Sequence, residues 1–371
     1  MQGKDRDGAG IGRIAGHASM SGATRPLPWL RLRMPRSLRW LLGLALCLPL
    51  LWATLAIAYA PLALPAPWIW AIAFAAFSAW ALWVSPRRWP MAVVVALFAV
   101  LLAAWSRILP SNEREWRVEN SVLPRIDIAG DRVLIHDYRD FDYRGDEVVP
   151  RWRTRALRLS DIDGVDFFVS YWQPGPIAHT WLSFDVRGSD PVAISIEVRN
   201  EVGESFDPLP ALFRNYELID VVGDERDIVR LRAHVRGEQV YLYRLRVPAA
   251  AARRLFLVYA GQVNRLAARP EFYNLLSNNC TVNIARYADL AGRDGRWDIR
   301  QLLNGWSDRD LYDEGLVDTS LPFARLRERS HINAAAMAAD GDPAFSRRIR
   351  AGRPIPALNP APASPAGRAP H

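Results

Sequence analysis

Two cysteines, Cys47 and Cys280, are present in 371 residues. That count excludes a disulfide scaffold and a Cys-based zinc site. Cys47 sits in a long apolar run, so Cys280 stands as a solitary thiol in the polar part of the chain. Its context, Ser277-Asn278-Asn279-Cys280-Thr281, reads as loop, cap and helix start. Asn is a preferred N-cap, and the first turn of a helix carries partial positive charge. A thiol in such a place has its thiolate favoured, which suits nucleophilic chemistry. The competing reading is packing, because Cys280, Ile284 and Tyr287 fall on one helical face.

A nucleophilic thiol needs a base, usually His. Between the apolar region and the terminal residue His371 the chain offers His136, His179, His234 and His331. His331 opens an Ala- and Arg-rich tail, His136 lies in an early strand, and His234 sits in an arginine-rich stretch expected to be a surface strand. His179 follows the turn Gln173-Pro174-Gly175-Pro176 at the start of a new strand, where a rigid backbone can hold an imidazole toward a cleft. In the next strand Ser195, Glu197 and Arg199 alternate with apolar residues and share one face. Glu197 can orient the His ring or form a surface ion pair. No HExxH or paired-Cys spacing occurs, so no metal and no cofactor is expected.

The elements that would position these groups fall into two textures. Residues 38–109 form three apolar runs, Leu38–Ala60, Pro67–Val84 and Pro90–Leu109, each long enough for a transmembrane helix. Eight of the 15 Trp lie between Trp40 and Trp105, near the expected interfacial belts. Arginines precede the first run, and Arg87 and Arg88 separate the second from the third. The positive-inside rule then places the N-terminus in the cytoplasm and everything after Leu109 outside it. The formal charge is +8, yet residues 111–330 carry 31 basic against 35 acidic side chains. The basic excess is thus an orientation signal, and nucleic acid is not an expected partner.

From residue 110 to 330 the pattern is α+β, a mainly antiparallel sheet followed by helices. Strands are expected at Arg132–Tyr138, Arg151–Leu159, Val165–Trp172, Ile177–Val186, Pro191–Arg199 and Glu217–Val222, with a further pair over Ile228–Val247. Helical spacing of Leu255, Phe256, Tyr259, Val263 and Leu266 marks a helix up to Arg269. A second helix is expected from Asn279 to Ala291–Gly292, and short ones follow at Asp298–Asn304 and Asp308–Gly315. Residues 1–37 read as a disordered basic tail, and residues 331–371 as a flexible Pro/Ala/Arg-rich tail.

Several blocks in order resemble the Lnb N-terminal periplasmic domain family: FFVSYWQPGPIAHTWLSF (Phe167–Phe184), ISIEVRNEVGESFDPL (Ile194–Leu209), YELIDVVGDERDIVRLR (Tyr216–Arg232), GEQVYLYRL (Gly237–Leu245) and ARPEFYNLLSNNCTVNI (Ala268–Ile284). The order of His and then Asn-Cys at a helix start is also similar to permuted papain-like enzymes of the NlpC and lecithin–retinol acyltransferase groups. The resemblance implies a membrane-anchored domain outside the cytoplasmic membrane that moves a fatty acyl chain on a lipoprotein or lipid substrate. It implies a bacterial inner-membrane setting, Cys280 as nucleophile and His179 as base; Glu197 is the candidate third group, and Asn279, Thr281 and Tyr171 are the candidates for shaping the site. The other functions open to this chain are a cell-wall peptide amidase or peptidase and a non-catalytic module binding a lipid or partner protein. Oligomeric state is not legible.

Overall fold

The computed structural model describes residues 36–144, 147–295, 298–354 and 356. Most of the expected N-terminal tail and the last part of the C-terminal tail lie outside the described residues. Runs of Leu, Ala, Val and Trp without charge make three helices at the start: α1 (Arg36–Tyr59), α2 (Pro67–Ala79), continued by a π-helical turn Trp80–Val84, and α3 (Trp89–Ser106). Pro67, Pro86 and Pro90 punctuate them, as proline does at helix starts and breaks. Two of these helices, Pro67–Val84 and Trp89–Ser106, are long and apolar enough to cross a membrane; the apolar part of the first, Gly43–Tyr59, is shorter. Of the three spans expected, two among the described residues are candidates by length and composition. The chain divides into two compact units, one holding residues 36–54 and 72–101, the other residues 55–71 and the chain from 102 onward.

The second unit is built on ten strands: β1 (Arg125–Ala129), β2 (Arg132–Arg139), β3 (Asp142–Arg144), β4 (Glu147–Val149), β5 (Trp152–Arg158), β6 (Ile162–Tyr171), β7 (His179–Val186), β8 (Val192–Arg199), β9 (Glu217–Asp224) and β10 (Gln239–Arg244). Eight of them form one sheet in the order β1-β2-β9-β8-β7-β6-β10, with β5 also paired to β2. Every pairing is antiparallel except a single parallel contact, Arg139 with Gly223. Strands β3 and β4 pair only with each other. Seven helices follow β9: α4 (Glu225–Arg230), α5 (Ala249–Ala268), α6 (Cys280–Leu290), α7 (Ser307–Asp313), α8 (Phe323–Ser330), α9 (Asn333–Ala338) and α10 (Phe345–Arg350). The α+β class with a mostly antiparallel sheet is as the sequence indicates.

Both faces of the sheet are covered. On one, Phe167, Leu182, Phe184, Ile194 and Val222 pack with Leu255, Phe256 and Tyr259 of α5 and with Cys280 and Tyr287 of α6. On the other, Phe168, Trp181, Ala193, Ile219 and Val221 pack with Ile228 and Val229 of α4, Ile332 and Ala336 of α9, and Phe345 and Ile349 of α10. Double coverage is why β9 lacks an exposed face: every one of its residues is buried, which a half-exposed antiparallel strand would not show.

Two expectations are corrected. The stretch Ile228–Val235, read as a strand, is α4 running into a π-helical turn Leu231–Val235. The Asp224 side chain caps it by accepting from Arg226 N–H at 3.0 Å, and acidic residues in the first turn with Arg230 at the end suit the helix dipole. The tail expected from residue 331 is packed structure as far as α10. Arg350 lies against Asp166 at 2.6 Å and Glu225 at 2.5 Å, and Phe345 and Ile349 are core residues. An Ala- and Arg-rich composition hid two short apolar faces.

Candidate functional site

Strands β7 and β8 pair over only three residue pairs, Leu182–Ile194, Ser183–Ala193 and Phe184–Val192. Beyond them β7 stays with β6 as far as His179–Ser170, and β8 stays with β9 as far as Arg199–Glu217. The sheet therefore parts between His179–Trp181 and Ser195–Val198. A cavity of about 300 Å³ occupies the opening, lined by His179, Ile196, Glu197, Arg232, Cys280 and Asn304 among others.

Cys280 reaches this cavity from the helix side. It is the first residue of α6, 2% exposed, and Asn279 is the N-cap as expected. Asn279 Oδ1 accepts from Val282 N–H at 2.9 Å, and its Nδ2 donates to Leu275 O at 2.6 Å. These two bonds make the Asn279 amide part of the turn that leads into α6. Thr281 joins α6 to the sheet through a 2.8 Å hydroxyl contact with Thr180. The thiol itself accepts from Asn304 Nδ2 at 3.5 Å, while Asn304 Oδ1 accepts from Ala178 N–H at 2.8 Å. Asn304 thus pins the sulfur to the start of β7. Its position in a short 3₁₀ turn, Asn304–Trp306, gives no local signal of that role, and sequence reasoning missed it.

His179 enters from the other face. By strand alternation it shares a side with Trp181, on which it stacks at 5.8 Å. Its Nε2 lies 2.8 Å from Ser195 Oγ and 4.0 Å from Glu197 Oε1, so the two lips of the opening meet at this ring. Glu197 is also held by Arg232 at 2.8 Å. Burial and the nearby Arg232 pull the His179 pKa down to about 3, against the opposing pull of Glu197; the ring is neutral at neutral pH. For Glu197, burial works upward, but Arg232, His179 and Arg139 outweigh it and hold the carboxylate well below its usual range. Arg232 was expected on a surface strand; it is 2% exposed and stacks over Trp181 at 4.8 Å.

The structure brings Cys280, His179 and Glu197 to one cavity, with Asn279 and Thr281 behind the thiol. The thiol and the imidazole take different hydrogen-bond partners, and the cavity separates them. Tyr171 stands apart: its hydroxyl donates to Gly305 O at 2.7 Å, and it lines a neighbouring surface pocket with Trp172, Trp306 and Arg327. The other histidines have different surroundings. His136 pairs with Asp127 at 3.0 Å, His234 lies 3.9 Å from Asp340, and His331 lies 3.0 Å from Gln239 Oε1.

Comparison with curated proteins and with solved structures returned no match. Comparison with family models did: the model described as the Lnb N-terminal periplasmic domain matches residues 149–305. The matched segment runs from the end of β4 to the 3₁₀ turn that holds Asn304, so it contains His179, Glu197 and Cys280. Residues 149–305 thus match the Lnb N-terminal periplasmic domain family, in a chain that carries apolar helices ahead of them.

Proposed function

We propose that this chain is a membrane-anchored, thiol-dependent acyltransferase acting on the acyl chains of lipoproteins or lipids outside the cytoplasmic membrane. A periplasmic domain family and apolar helices near the N-terminus fit a membrane-anchored protein. In the fuller reading α1 is a third span, the N-terminus is cytoplasmic, and the arginines at 87 and 88 face the same side. A reporter fused after Leu109 that is active only in the cytoplasm would overturn that orientation.

The observation that carries the chemistry is a capped helix start placing Cys280 in the same cavity as the neutral imidazole of His179. In the first step the Cys280 sulfur attacks an ester carbonyl of the lipid. An S–C bond forms, the C–O bond breaks, and the thiol proton passes by way of His179 to the leaving alcohol. In the second, an amine attacks the thioester, the C–S bond breaks, and the amine proton returns to the sulfur through the same ring. The Nε2 side of His179 is taken by Ser195 and Glu197, which leaves Nδ1 for this exchange. The N–H groups of Cys280 and Thr281 belong to the first helical turn, which has no internal acceptors for them, and suit an oxyanion.

The test is mass spectrometry of the full-length protein in detergent after exposure to a diacylated lipopeptide. The expected result is a hydroxylamine-sensitive acyl adduct on Cys280, lost in Cys280→Ala and strongly reduced in His179→Ala. A lipopeptide merely hydrolysed, with no amine acylated, would favour an amidase or esterase instead. Cys280 alkylated only after denaturation, together with unchanged lipoprotein N-termini in cells carrying Cys280→Ala, would remove the catalytic reading.

A further inference from the structure

A second cavity, separate in character from the first, runs beneath α6. It has a volume of about 230 Å³ and an apolar lining that includes Phe167, Leu182, Leu255, Ile284, Ala285 and Ala288. Its wall on α6 begins at Thr281 and runs to the helix end, about 13 Å at the helical rise, with Ala291, Gly292 and Arg293 beyond it. The Thr281 hydroxyl that lines its near end is 3.8 Å from Cys280 Sγ. Cys280 lines the first of these two compartments, and its neighbour Thr281 lines the second. One is polar and holds His179, Glu197 and Arg232; the other is apolar and extends away along α6. Arg246, Arg254, Arg293 and Asp310 lie among the lining residues. Arg254 donates to Ala291 O and Arg293 pairs with Asp289 and Glu314, so charge collects at the end remote from the thiol.

We propose that the groove under α6 is the acyl-chain subsite, holding the hydrocarbon of the chain transferred to Cys280; this rests on the acyl-transfer reading above. The chain enters over Thr281 and lies against Leu182, Leu255 and Ile284. The carbonyl stays at the start of α6, facing the polar compartment. On the scale by which a ~150 Å³ apolar cavity takes one benzene, this one takes on the order of eight to ten chain carbons, and a longer chain continues past the charged end. Each methylene buried is worth about a fourfold gain in binding, so the groove selects by length.

Full-length protein in detergent is treated with para-nitrophenyl esters from acetyl to decanoyl, and the rate of Cys280 acylation is read by mass spectrometry. The wild type is expected to gain at least about tenfold in rate from acetyl to octanoyl, since only a fraction of the buried-methylene effect need be realised. Ala288→Phe fills the groove and flattens that profile, so that octanoyl reacts no faster than acetyl. Ala291→Phe, at the far end, shortens the preferred chain and serves if Ala288→Phe does not fold. A long-chain preference that survives both substitutions overturns the groove. If no ester acylates Cys280, the acyl-transfer reading fails; the groove is then decided alone by cis-parinaric acid fluorescence in Cys280→Ala. Binding there is expected to weaken at least about tenfold when Ala288→Phe is added, and equal binding overturns the proposal.

Discussion

His179 combines a depressed pKa with an ion-pair network, and the sign of the consequence can be worked out. Its folded value is near 3 against an ordinary value of 6.5. Below pH 6.5 the unfolded chain takes up a proton that the folded chain refuses, so stability falls as the pH drops from about 6.5 toward 3. His179→Gln removes that contribution and keeps a polar group beside Ser195. Unfolding free energies from urea titrations at pH 7 and pH 4.5 are expected to differ by less in the variant than in the wild type, by a margin of roughly 2–3 kcal/mol. An equal pH dependence would mean that the ring is hydrated and ordinary. The residues at this site differ in how readable they are. Asn279-Cys280 is legible because a cap is local chemistry, written in adjacent residues. Asn304 is not, because its link to Cys280 and Ala178 exists only once the chain has folded back on β7. Arg232 misleads for a related reason: a charged residue reads as exposed unless its partner Glu197, 35 residues earlier in the chain, is known to wait for it.

At the scale of elements, the site is an interruption in the sheet closed from one side by a helix start. Periodicity reveals strands β2, β5, β6, β7, β8 and β9 and helices α5 and α6, since each carries a long apolar pattern. It does not reveal that β7 and β8 part after three pairs, because alternation within a strand says nothing about its neighbour. Nor does it separate a short buried helix from a strand, as at Ile228–Val235, where Ile and Val raise strand propensity but the cap at Asp224 decides. The cap before α6 carries more than secondary structure, since it sets where the sulfur stands. Asn279→Ala removes the acceptor for Val282 N–H and the donor to Leu275 O. It is expected to cost about 1–2 kcal/mol. Asn279→Asp retains the acceptor but sets a carboxylate oxygen against Leu275 O, so it is expected to recover only part of it. Thermal denaturation of the full chain checks this, and an Ala variant as stable as the wild type would show that the loop before Cys280 holds without its cap.

For the whole molecule, the decisive feature is that the sheet is covered twice, the second cover coming from the far end of the chain. The C-terminal helices carry little apolar area each, yet they close the face that holds Trp181 and Phe168, the same side from which His179 projects. Their attachment centres on Arg350, set between Asp166 and Glu225, two carboxylates with no exposed side-chain area. Asp166 keeps Arg244 at 2.7 Å and Glu225 keeps Ser183 Oγ at 2.6 Å, but burial already works to raise the pKa of Asp166, so losing a cation leaves charge poorly compensated. Arg350→Met is therefore expected to cost about 3–5 kcal/mol, the range for removing one partner of a buried pair. The double variant Glu225→Gln with Arg350→Met is expected to recover part of that, because the orphaned charge goes with its partner. Urea unfolding of the full chain, followed by tryptophan emission, reads both. If Arg350→Met unfolds at the wild-type midpoint, the C-terminal helices do not hold the second face. If the double variant is less stable than the single one, Glu225 has a role in the core beyond answering Arg350.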